Sequence, residues 1–327
     1  MPASDNKKKP PVSVLICSKN RRKDLERLVE SLKKQACSVY YEIVVVEETD
    51  EPNTLPEIRY ISHPVKNFGI AYARNLALSK ASGELIVFID DDCTPKDGWL
   101  DNLISPFEDK SIIGVQGGVS IPANASAIGW AETLLGFPGG GIKRIIEAAG
   151  THPRTIEIST LNCAYRRSVL DRVGGFDEGL RHGGEDYVFA KQACKFGDGL
   201  FVPSALVMHN PRGSLRKIWS WFVRRGRAEI DTVRVGKQDQ MTWPRIVKHS
   251  LSLKLMAILL LGMIIPLPTW HFLGLVFLLH IGYQYKRYYS VWEKSRAPVS
   301  ALLVLPAVKI AMDFASDWGR ASELPGG

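Results

Sequence analysis

Two different patterns of apolar and polar positions follow one another along this chain. Up to about residue 230, short apolar runs alternate with amphipathic segments, and after that point long apolar runs dominate. The upstream apolar runs have the length and β-branched content of strands. They lie at residues 12–17, 42–46, 58–61 and 85–89, with a helical face of Leu25, Leu28, Val29 and Leu32 after the first run and a helix at about 67–80 before the last. This order predicts an α/β fold with a Rossmann-like, mostly parallel sheet and flanking helices.

The following stretch, up to about residue 210, is less regular. It contains one further strand at 112–116, a turn with a short helix at 162–173, a helix at 187–196, and two short strands at 200–202 and 205–208. Residues 123–150 are rich in glycine and alanine and predict a loop. A mobile lid or acceptor cleft and a packed surface hairpin both remain open for that loop.

Residues 214–230 predict a basic amphipathic helix. Leu215, Ile218, Trp219, Phe222 and Val223 share one face, and arginine and lysine side chains lie largely opposite. Such a helix is typical of a membrane surface. Docking on the core of the domain is the alternative, and different faces of one helix could do both.

The apolar runs at 251–267 and 269–285 are each near the minimum length of a membrane span, and Pro266 and Pro268 lie between them. Basic residues at both outer ends predict a helical hairpin with both ends in the cytoplasm. A buried helical pair in a soluble core is disfavoured because both runs are nearly free of charge. In the apolar segment 301–314, Lys309 and Asp313 favour a helix lying in the interface over a third span.

Composition and charge narrow the function classes. The chain has 327 residues, 45% of them apolar and 23% charged, which is typical of a folded protein. Its net charge of +8 is concentrated between residues 212 and 254. The apolar runs that follow favour anionic lipid over nucleic acid as the partner of this basic belt. Five cysteines without metal-type spacing and the absence of a visible signal peptide predict a reducing, cytoplasmic location for the upstream domain.

The most informative polar cluster is Asp90, Asp91 and Asp92, which directly follows the strand at 85–89. Ligands of open α/β sheets bind beyond the carboxyl ends of the strands. Three like charges in one turn are costly unless a cation offsets them. The cluster therefore predicts a metal site, with a solvated turn as the alternative. No G-x-G-x-x-G follows the first strand, which argues against a dinucleotide site.

A co-linear set of motifs gives the chain a family resemblance over about residues 10–230. The set comprises residues 11–16 with Asn20 and Arg21, the acid-terminated second strand at Glu47, Asn67-x-Gly69 with Ala73-Arg74-Asn75, the Asp90 to Asp92 triplet, Gly174-Gly175-Phe176-Asp177, and Gly184-Glu185-Asp186. In this order and spacing the chain resembles the family 2 inverting glycosyltransferases, which have the GT-A fold. Glu47 stands where the family commonly has Asp, and Cys17 where a small hydroxyl residue is frequent. The Q-x-x-R-W signature is absent, which argues against a polymer-extruding synthase.

The resemblance implies a role for each matching residue. Asp186 is expected to be the general base, and the N-terminus of a helix favours its ionised form. Mg²⁺ or Mn²⁺ is expected at Asp92, Asp90 and His209, with a plain strand-end histidine as the alternative for His209. The expected donor-binding residues are Cys17, Ser18, Asn20, Arg21, Glu47, Asn67, Arg74, Asp90 and Asp91. The expected acceptor-binding residues are Asn162, Gly184, Glu185 and Trp219.

The expected reaction is transfer of one sugar from a nucleotide-sugar donor to a lipid-linked or polysaccharide acceptor at the cell membrane. A UDP-sugar is favoured as the donor, with GDP- and dTDP-sugars as alternatives. A metal-dependent nucleotidyltransferase and a non-catalytic, membrane-bound sugar-nucleotide scaffold remain as other functions. No nucleic-acid partner is expected.

The expected domain organisation follows from the same patterns. It has a disordered tail at 1–9, a GT-A domain at 10–230, a linker at 231–246, a transmembrane hairpin at 247–285, and an interfacial or third membrane helix with a tail at 286–327. Within the GT-A domain, 10–116 is the nucleotide-binding half, 117–213 the acceptor half and 214–230 the interface helix.

Overall fold

The computed structural model describes residues 11–235, 243–264 and 269–323. The predicted tail at 1–9, residues 236–242 of the predicted linker, the turn containing Pro266 and Pro268, and the last four residues lie outside the described residues. Two compact units are present. Among the described residues, the first unit comprises 11–119, 150–178 and 185–209, and the second comprises 120–149, 179–184, 210–235, 243–264 and 269–323.

Eight strands form one mixed sheet in the order β3-β2-β1-β4-β7-β6-β8-β5. They are β1 (Val12–Lys19), β2 (Tyr41–Glu48), β3 (Arg59–His63), β4 (Leu85–Ile89), β5 (Cys93–Pro95), β6 (Ile112–Ser120), β7 (Asn162–Arg166) and β8 (Asp198–His209). Neighbouring strands among the first four in this order are parallel, whereas β7 is antiparallel to β4 and to β6. The four parallel strands are those predicted from the apolar runs at 12–17, 42–46, 58–61 and 85–89.

The helices are α1 (Arg22–Lys33), α2 (Ile70–Lys80), α3 (Trp99–Ile104), α4 (Ala127–Leu134), α5 (Gly141–Ala148), α6 (Arg167–Val173), α7 (Glu185–Ala193), α8 (Leu215–Arg234), α9 (Trp243–His249), α10 (Leu251–Ile264), α11 (Thr269–Ser295) and α12 (Val299–Ser322). In the first unit, α1 buries the predicted face of Leu25, Leu28, Val29 and Leu32 on one side of the sheet. On the other side α2 packs through small residues such as Ala71 and Ala77. Helices cover both faces of the sheet, which agrees with the mainly apolar sequences of the central strands β1, β2 and β4.

Three sequence predictions in the irregular stretch are wrong. Residues 162–166 form strand β7 rather than a turn, and the two strands predicted at 200–202 and 205–208 are one strand, β8. The loop predicted at 123–150 contains the packed helices α4 and α5. Tertiary burial outweighs the weak helix propensity of this glycine-rich segment, since Trp130, Ala131 and Leu134 are buried.

Asn162 explains why β7 was missed. Its side chain is fully buried, accepts a hydrogen bond from Trp99 Nε1 (2.8 Å), and donates to the carbonyl oxygens of Gly118 and Ala205 (2.9 Å each). A buried amide is stable when its hydrogen bonds are made. A polar residue that suggests a turn in the sequence therefore ties strands together inside the sheet.

In the second unit, α8 and α12 cross at two glycines. A Cβ on Gly226 would lie 2.1 Å from the carbonyl oxygen of Ser316, and one on Gly319 would lie 2.0 Å from that of Val223. Such distances leave no room for a side chain at either position. Around the crossing, Ile218 and Phe222 form a core with apolar residues of α12, which are Leu305, Val308, Met312 and Ala315. The interface helix predicted at 214–230 is thus docked, and it continues to Arg234 into the predicted linker.

Much of the remaining apolar surface of this unit is exposed. Helices α10 and α11 expose large apolar side chains, which are Leu253, Met256, Leu259, Leu260, Leu275, Phe277, Leu278 and Leu279. Among the described helices, α12 is the one whose length and composition would allow it to cross a membrane, although a core helix can meet the same criteria. It is longer than the apolar segment predicted at 301–314, and Lys309 is paired with Asp313 one turn along it.

The close crossing makes a prediction about stability. Replacing Gly319 with alanine should lower the free energy of unfolding of the full chain by about 1–3 kcal/mol, because the helices must separate to admit the methyl group. Thermal and denaturant unfolding of the purified protein would measure the change. The control is Gly282→Ala on α11, where a Cβ would meet no atom within 4 Å. That variant should be neutral or more stable, by up to about 1 kcal/mol. Equal effects of the two substitutions would contradict the tight crossing.

Candidate active site

The carboxyl ends of β1, β2 and β4 meet at one edge of the sheet, because these strands are parallel neighbours. Ser18 lies near the end of β1, Glu47 near the end of β2, and Asp90 directly follows β4. The turn after β4 is held by backbone hydrogen bonds from Asp90 N to the Leu161 oxygen (3.1 Å) and from Cys93 N to the Asp90 oxygen (3.1 Å). The fold thus gathers the predicted donor and metal residues at a single edge.

Asp91 is the buried member of the triplet. It accepts hydrogen bonds from Ser18 Oγ (2.7 Å) and Arg21 Nη1 (2.9 Å), and it is 4% exposed. Desolvation raises its pKa to about 6, and Arg21 and the Ser18 hydroxyl oppose that shift. These contacts tie the turn after β4 to the end of β1, so Asp91 acts mainly as an anchor.

Asp92 and His209 converge because strand β5 pairs with β8 and places Cys93 opposite His209. The imidazole Nε2 lies 3.3 Å from Asp92 Oδ1, and Asp92 Oδ2 accepts a hydrogen bond from Arg21 Nη1 (2.8 Å). The buried Oδ1 atom receives no hydrogen bond from any described residue. A carboxylate oxygen beside an imidazole nitrogen fits a divalent cation such as Mn²⁺ or Mg²⁺. The sequence pairs these residues only through the resemblance, whereas the fold brings them together.

Neighbouring charged groups shift the pKa of Asp90 in opposite directions. Desolvation raises its pKa, Arg74 opposes the shift, and the carboxylates of Asp92, Asp91 and Asp186 add to it. Arg74 Nη2 lies 3.8 Å from the Asp90 carboxylate. Crowding of this kind favours either a proton or a cation at the cluster.

Arg74 connects this edge to helix α7. Its buried guanidinium also pairs with Glu185, the first residue of that helix. Burial lowers the pKa of Arg74, but Glu185 and Asp90 outweigh burial and the net shift is upward. Burial also raises the pKa of Glu185, against the effect of Arg74. Glu185 was expected to contact an acceptor, yet it is buried and engaged in an ion pair.

Asp186 follows in the first turn of α7 and is partly exposed. One of its carboxylate oxygens accepts a hydrogen bond from the Tyr187 amide (2.8 Å). Gly183 and Gly184 precede the helix with φ values of +117° and +89°, a backbone conformation that favours glycine. The turn therefore presents Asp186 at a helix N-terminus while Glu185 points into the protein.

The remaining predicted donor residues have mixed surroundings. Glu47 is buried and accepts hydrogen bonds from Arg22 (2.9 Å) and Tyr60 (2.6 Å). Desolvation raises the pKa of Cys17 to about 12, so it is a neutral thiol at physiological pH. Asn20 is exposed in the turn after β1, with φ +53°.

Sequence reasoning missed the role of Glu48. Its carboxylate accepts hydrogen bonds from the backbone amides of Lys66 (3.1 Å) and Asn67 (2.8 Å) and from Lys19 (3.1 Å), and Lys19 also donates to Asn67. It therefore orders the start of the Asn67 motif. The second acid of the Glu47-Glu48 pair at a strand end was the available signal.

The other expected acceptor-binding residues are Asn162, Trp219 and Gly184, and their surroundings differ. The Asn162 side chain is buried and its hydrogen bonds are made inside the sheet, as described above. Trp219 belongs to the second unit, where its side chain is 42% exposed. Gly184 also belongs to that unit, and a Cβ there would lie 3.1 Å from Thr232 Cγ2.

Comparison with known proteins gives consistent matches. Residues 13–174 match the model of glycosyl transferase family 2. A pre-mycofactocin glycosyltransferase of Mycobacterium tuberculosis is 30% identical over 218 residues, which cover 65% of this chain and 45% of that protein. The glycosyltransferase AglE of Haloferax volcanii is 25% identical over 233 residues, covering 68% and 73% of the two chains. The chain thus spans less than half the length of the mycobacterial relative.

A solved structure extends the likeness across the whole chain. The mannosyltransferase PcManGT from Pyrobaculum calidifontis, in complex with GDP-Man and Mn²⁺, superposes with a TM-score of 0.60 at 20% identity. The match covers 97% of this chain and 89% of that one, and it shows a shared fold. By its family match and its relatives, the region 13–174 belongs to glycosyl transferase family 2, within a chain that has a GT-A-like fold.

Proposed function

We propose that this protein is an inverting glycosyltransferase that moves a sugar from a nucleotide-sugar donor to a membrane-proximal acceptor. The observation that carries the proposal is the convergence of Asp90, Asp92 and His209 beyond β4, with Arg74 and Asp186 in the same compact unit. Side chains of the kind that bind metals and a partly exposed carboxylate, Asp186, thus lie in the unit that contains the sheet edge where α/β proteins bind ligands.

Asp92, His209 and Asp90 would hold the divalent cation. When bound, the cation would stabilise the negative charge that develops on the diphosphate leaving group. The donor set does not choose between Mn²⁺ and Mg²⁺. The presence of Mn²⁺ and GDP-Man in the related archaeal mannosyltransferase supports a metal and a nucleotide sugar here.

The nucleotide would contact the end of β1 and the segment before α2, through Ser18, Asn20, Arg21 and Asn67. The other expected donor-binding residues, Cys17, Glu47, Arg74 and Asp91, would shape this surface through their contacts with neighbouring side chains. Arg21 is half exposed and already bridges Asp91 and Asp92, so it can bind a phosphate without leaving the edge. A UDP-sugar is our first choice of donor, with GDP- and dTDP-sugars as alternatives.

Inversion requires a base on the face of the sugar opposite the leaving group. Asp186 is partly exposed, and the flanking Glu185 is committed to Arg74. We therefore assign proton abstraction from the acceptor hydroxyl to Asp186.

Membrane attachment is supported by the exposed apolar faces of α10 and α11. Exposed patches of this size are unusual in soluble proteins and are typical of interaction surfaces, including membranes. We propose that this surface anchors the enzyme at the cytoplasmic leaflet, where lipid-linked glycans or surface polysaccharide precursors would serve as acceptors.

The first test is a donor screen with the purified protein that scores release of UDP, GDP or dTDP. Release should require a divalent cation and should fall by at least about 10²-fold in Asp92→Asn, because a carboxylate ligand is replaced by a weaker neutral one. Asp171→Asn, an exposed aspartate on α6, is the control and should retain full activity. Undiminished release in EDTA, or full activity of Asp92→Asn, would rule out the metal site.

The second test concerns the base. Asp186→Asn should lower transfer by about 10²–10⁴-fold while donor affinity is kept. The amide preserves the shape of the side chain and can still accept the hydrogen bond from Tyr187. Rates measured at saturating donor, with nucleotide binding measured by calorimetry, would separate the two effects. A loss of less than tenfold, or a collapse of donor affinity, would give Asp186 another role.

The third test concerns topology. Single cysteines at positions 267 and 290, in a background without the native cysteines, would be treated with an impermeant thiol reagent on intact cells. A hairpin with both ends in the cytoplasm predicts that position 290 is protected. Labelling of position 290 from outside would contradict the hairpin, and full extraction by carbonate would contradict membrane anchoring.

A further inference from the structure

His182 links three separate segments of the second unit. It lies in the loop before α7, and its Nδ1 is 2.8 Å from Asp231 Oδ2 on α8. On the other side of the ring, Nε2 is 3.7 Å from Glu323 Oε1, directly after α12. One imidazole thus contacts the last turn of α8 and the end of α12 at once.

A second contact holds the same loop against α8. Gly184 lies so close to Thr232 that a Cβ on the glycine would be 3.1 Å from Thr232 Cγ2. Thr232 is itself buried and donates a hydrogen bond to the Glu229 oxygen (2.8 Å). Leu180, earlier in the loop, is also buried. The loop is therefore attached through two adjacent residues of α8, Asp231 and Thr232.

The ligand atoms of His182, Asp231 and Glu323 lie within 4.8 Å of one another, which is the spacing of a metal site. Two nearby arginines favour a network of ion pairs and hydrogen bonds over a metal site. Arg227 Nε and Arg234 Nη1 each lie 3.7 Å from a carboxylate oxygen of Glu323. A cation at this position would be repelled by both guanidinium groups.

We propose that His182 is a positioning residue that fastens the loop 179–184, which leads into α7, to the ends of α8 and α12. Three residues separate His182 from Asp186, so the chain itself transmits the attachment. The proposal rests on the proposed function, in which Asp186 takes the proton from the acceptor. It assigns to the C-terminal helices a second task besides anchoring, which is to hold the loop that directly precedes α7.

The kinetic test compares His182→Ala with His182→Asn. Because small displacements of a catalytic group are costly, His182→Ala should lower kcat by about 10–100-fold while KM for the donor changes less than about twofold. Asparagine can still donate a hydrogen bond to Asp231, so His182→Asn should recover most of the loss. In an Asp186→Asn background, His182→Ala should have no further effect. The matched control, His152→Ala at an exposed histidine of the first unit, should match the wild type.

A second readout is independent of activity. Hydrogen–deuterium exchange of the full-length protein should become about tenfold faster at residues 179–186 in His182→Ala, and not in His182→Asn or His152→Ala. Unchanged exchange in His182→Ala, or faster exchange with unchanged kcat, would overturn the proposal. A rise in melting temperature with added Zn²⁺ that is lost in His182→Ala would assign the cluster to a metal instead. If the wild type transfers no sugar, the proposed function fails, and the exchange data still decide whether His182 holds the loop.

Discussion

Repulsion among carboxylates at the end of β4 is the constraint around which the site is built. Asp90, Asp91 and Asp92 cannot all be ionised in one turn without counter-charges. Two arginines supply these counter-charges. Arg21, in the turn after β1, pairs with Asp91 and Asp92, and Arg74, on α2, lies near Asp90. Each arginine comes from a different helix or turn, so balancing the charge also ties the separate segments together.

The two arginines differ in how far their side chains are exposed to solvent. Arg74 is buried between Asp90 and Glu185 and fixes the start of α7 relative to the sheet. Arg21 is half exposed and holds Asp91 and Asp92 from the solvent side. In the proposed reaction, the buried pair maintains geometry and the exposed one meets the phosphates. Breaking a buried ion pair by removing one partner is generally far more costly than losing an exposed one.

The sequence predicted the parallel half of the sheet because its strands are mainly short apolar runs, and acids follow the runs in β2 and β4. The antiparallel half could not be predicted in the same way. β7 begins with a buried asparagine whose side chain is hydrogen-bonded to residues 43 to 63 positions away, and the glycine-rich stretch is helical because it packs on other helices. At the site, Asp90 to Asp92 and Asp186 were identifiable from motifs. The acid pair at the end of β2 was a local signal for Glu48. The Arg74–Glu185 pair and the His182 contacts depend on tertiary neighbours, so no local pattern revealed them.

The central claim is that Asp92 and His209 bind a divalent cation at the edge of the sheet. Pulsed electron paramagnetic resonance of Mn²⁺ titrated into the protein with a nucleoside diphosphate would test this claim directly. We predict one tightly bound Mn²⁺ per chain, with a nitrogen coupling from an imidazole that disappears in His209→Ala. Mn²⁺ that binds equally tightly to Asp92→Asn, or that shows no imidazole coupling in the wild type, would contradict the account.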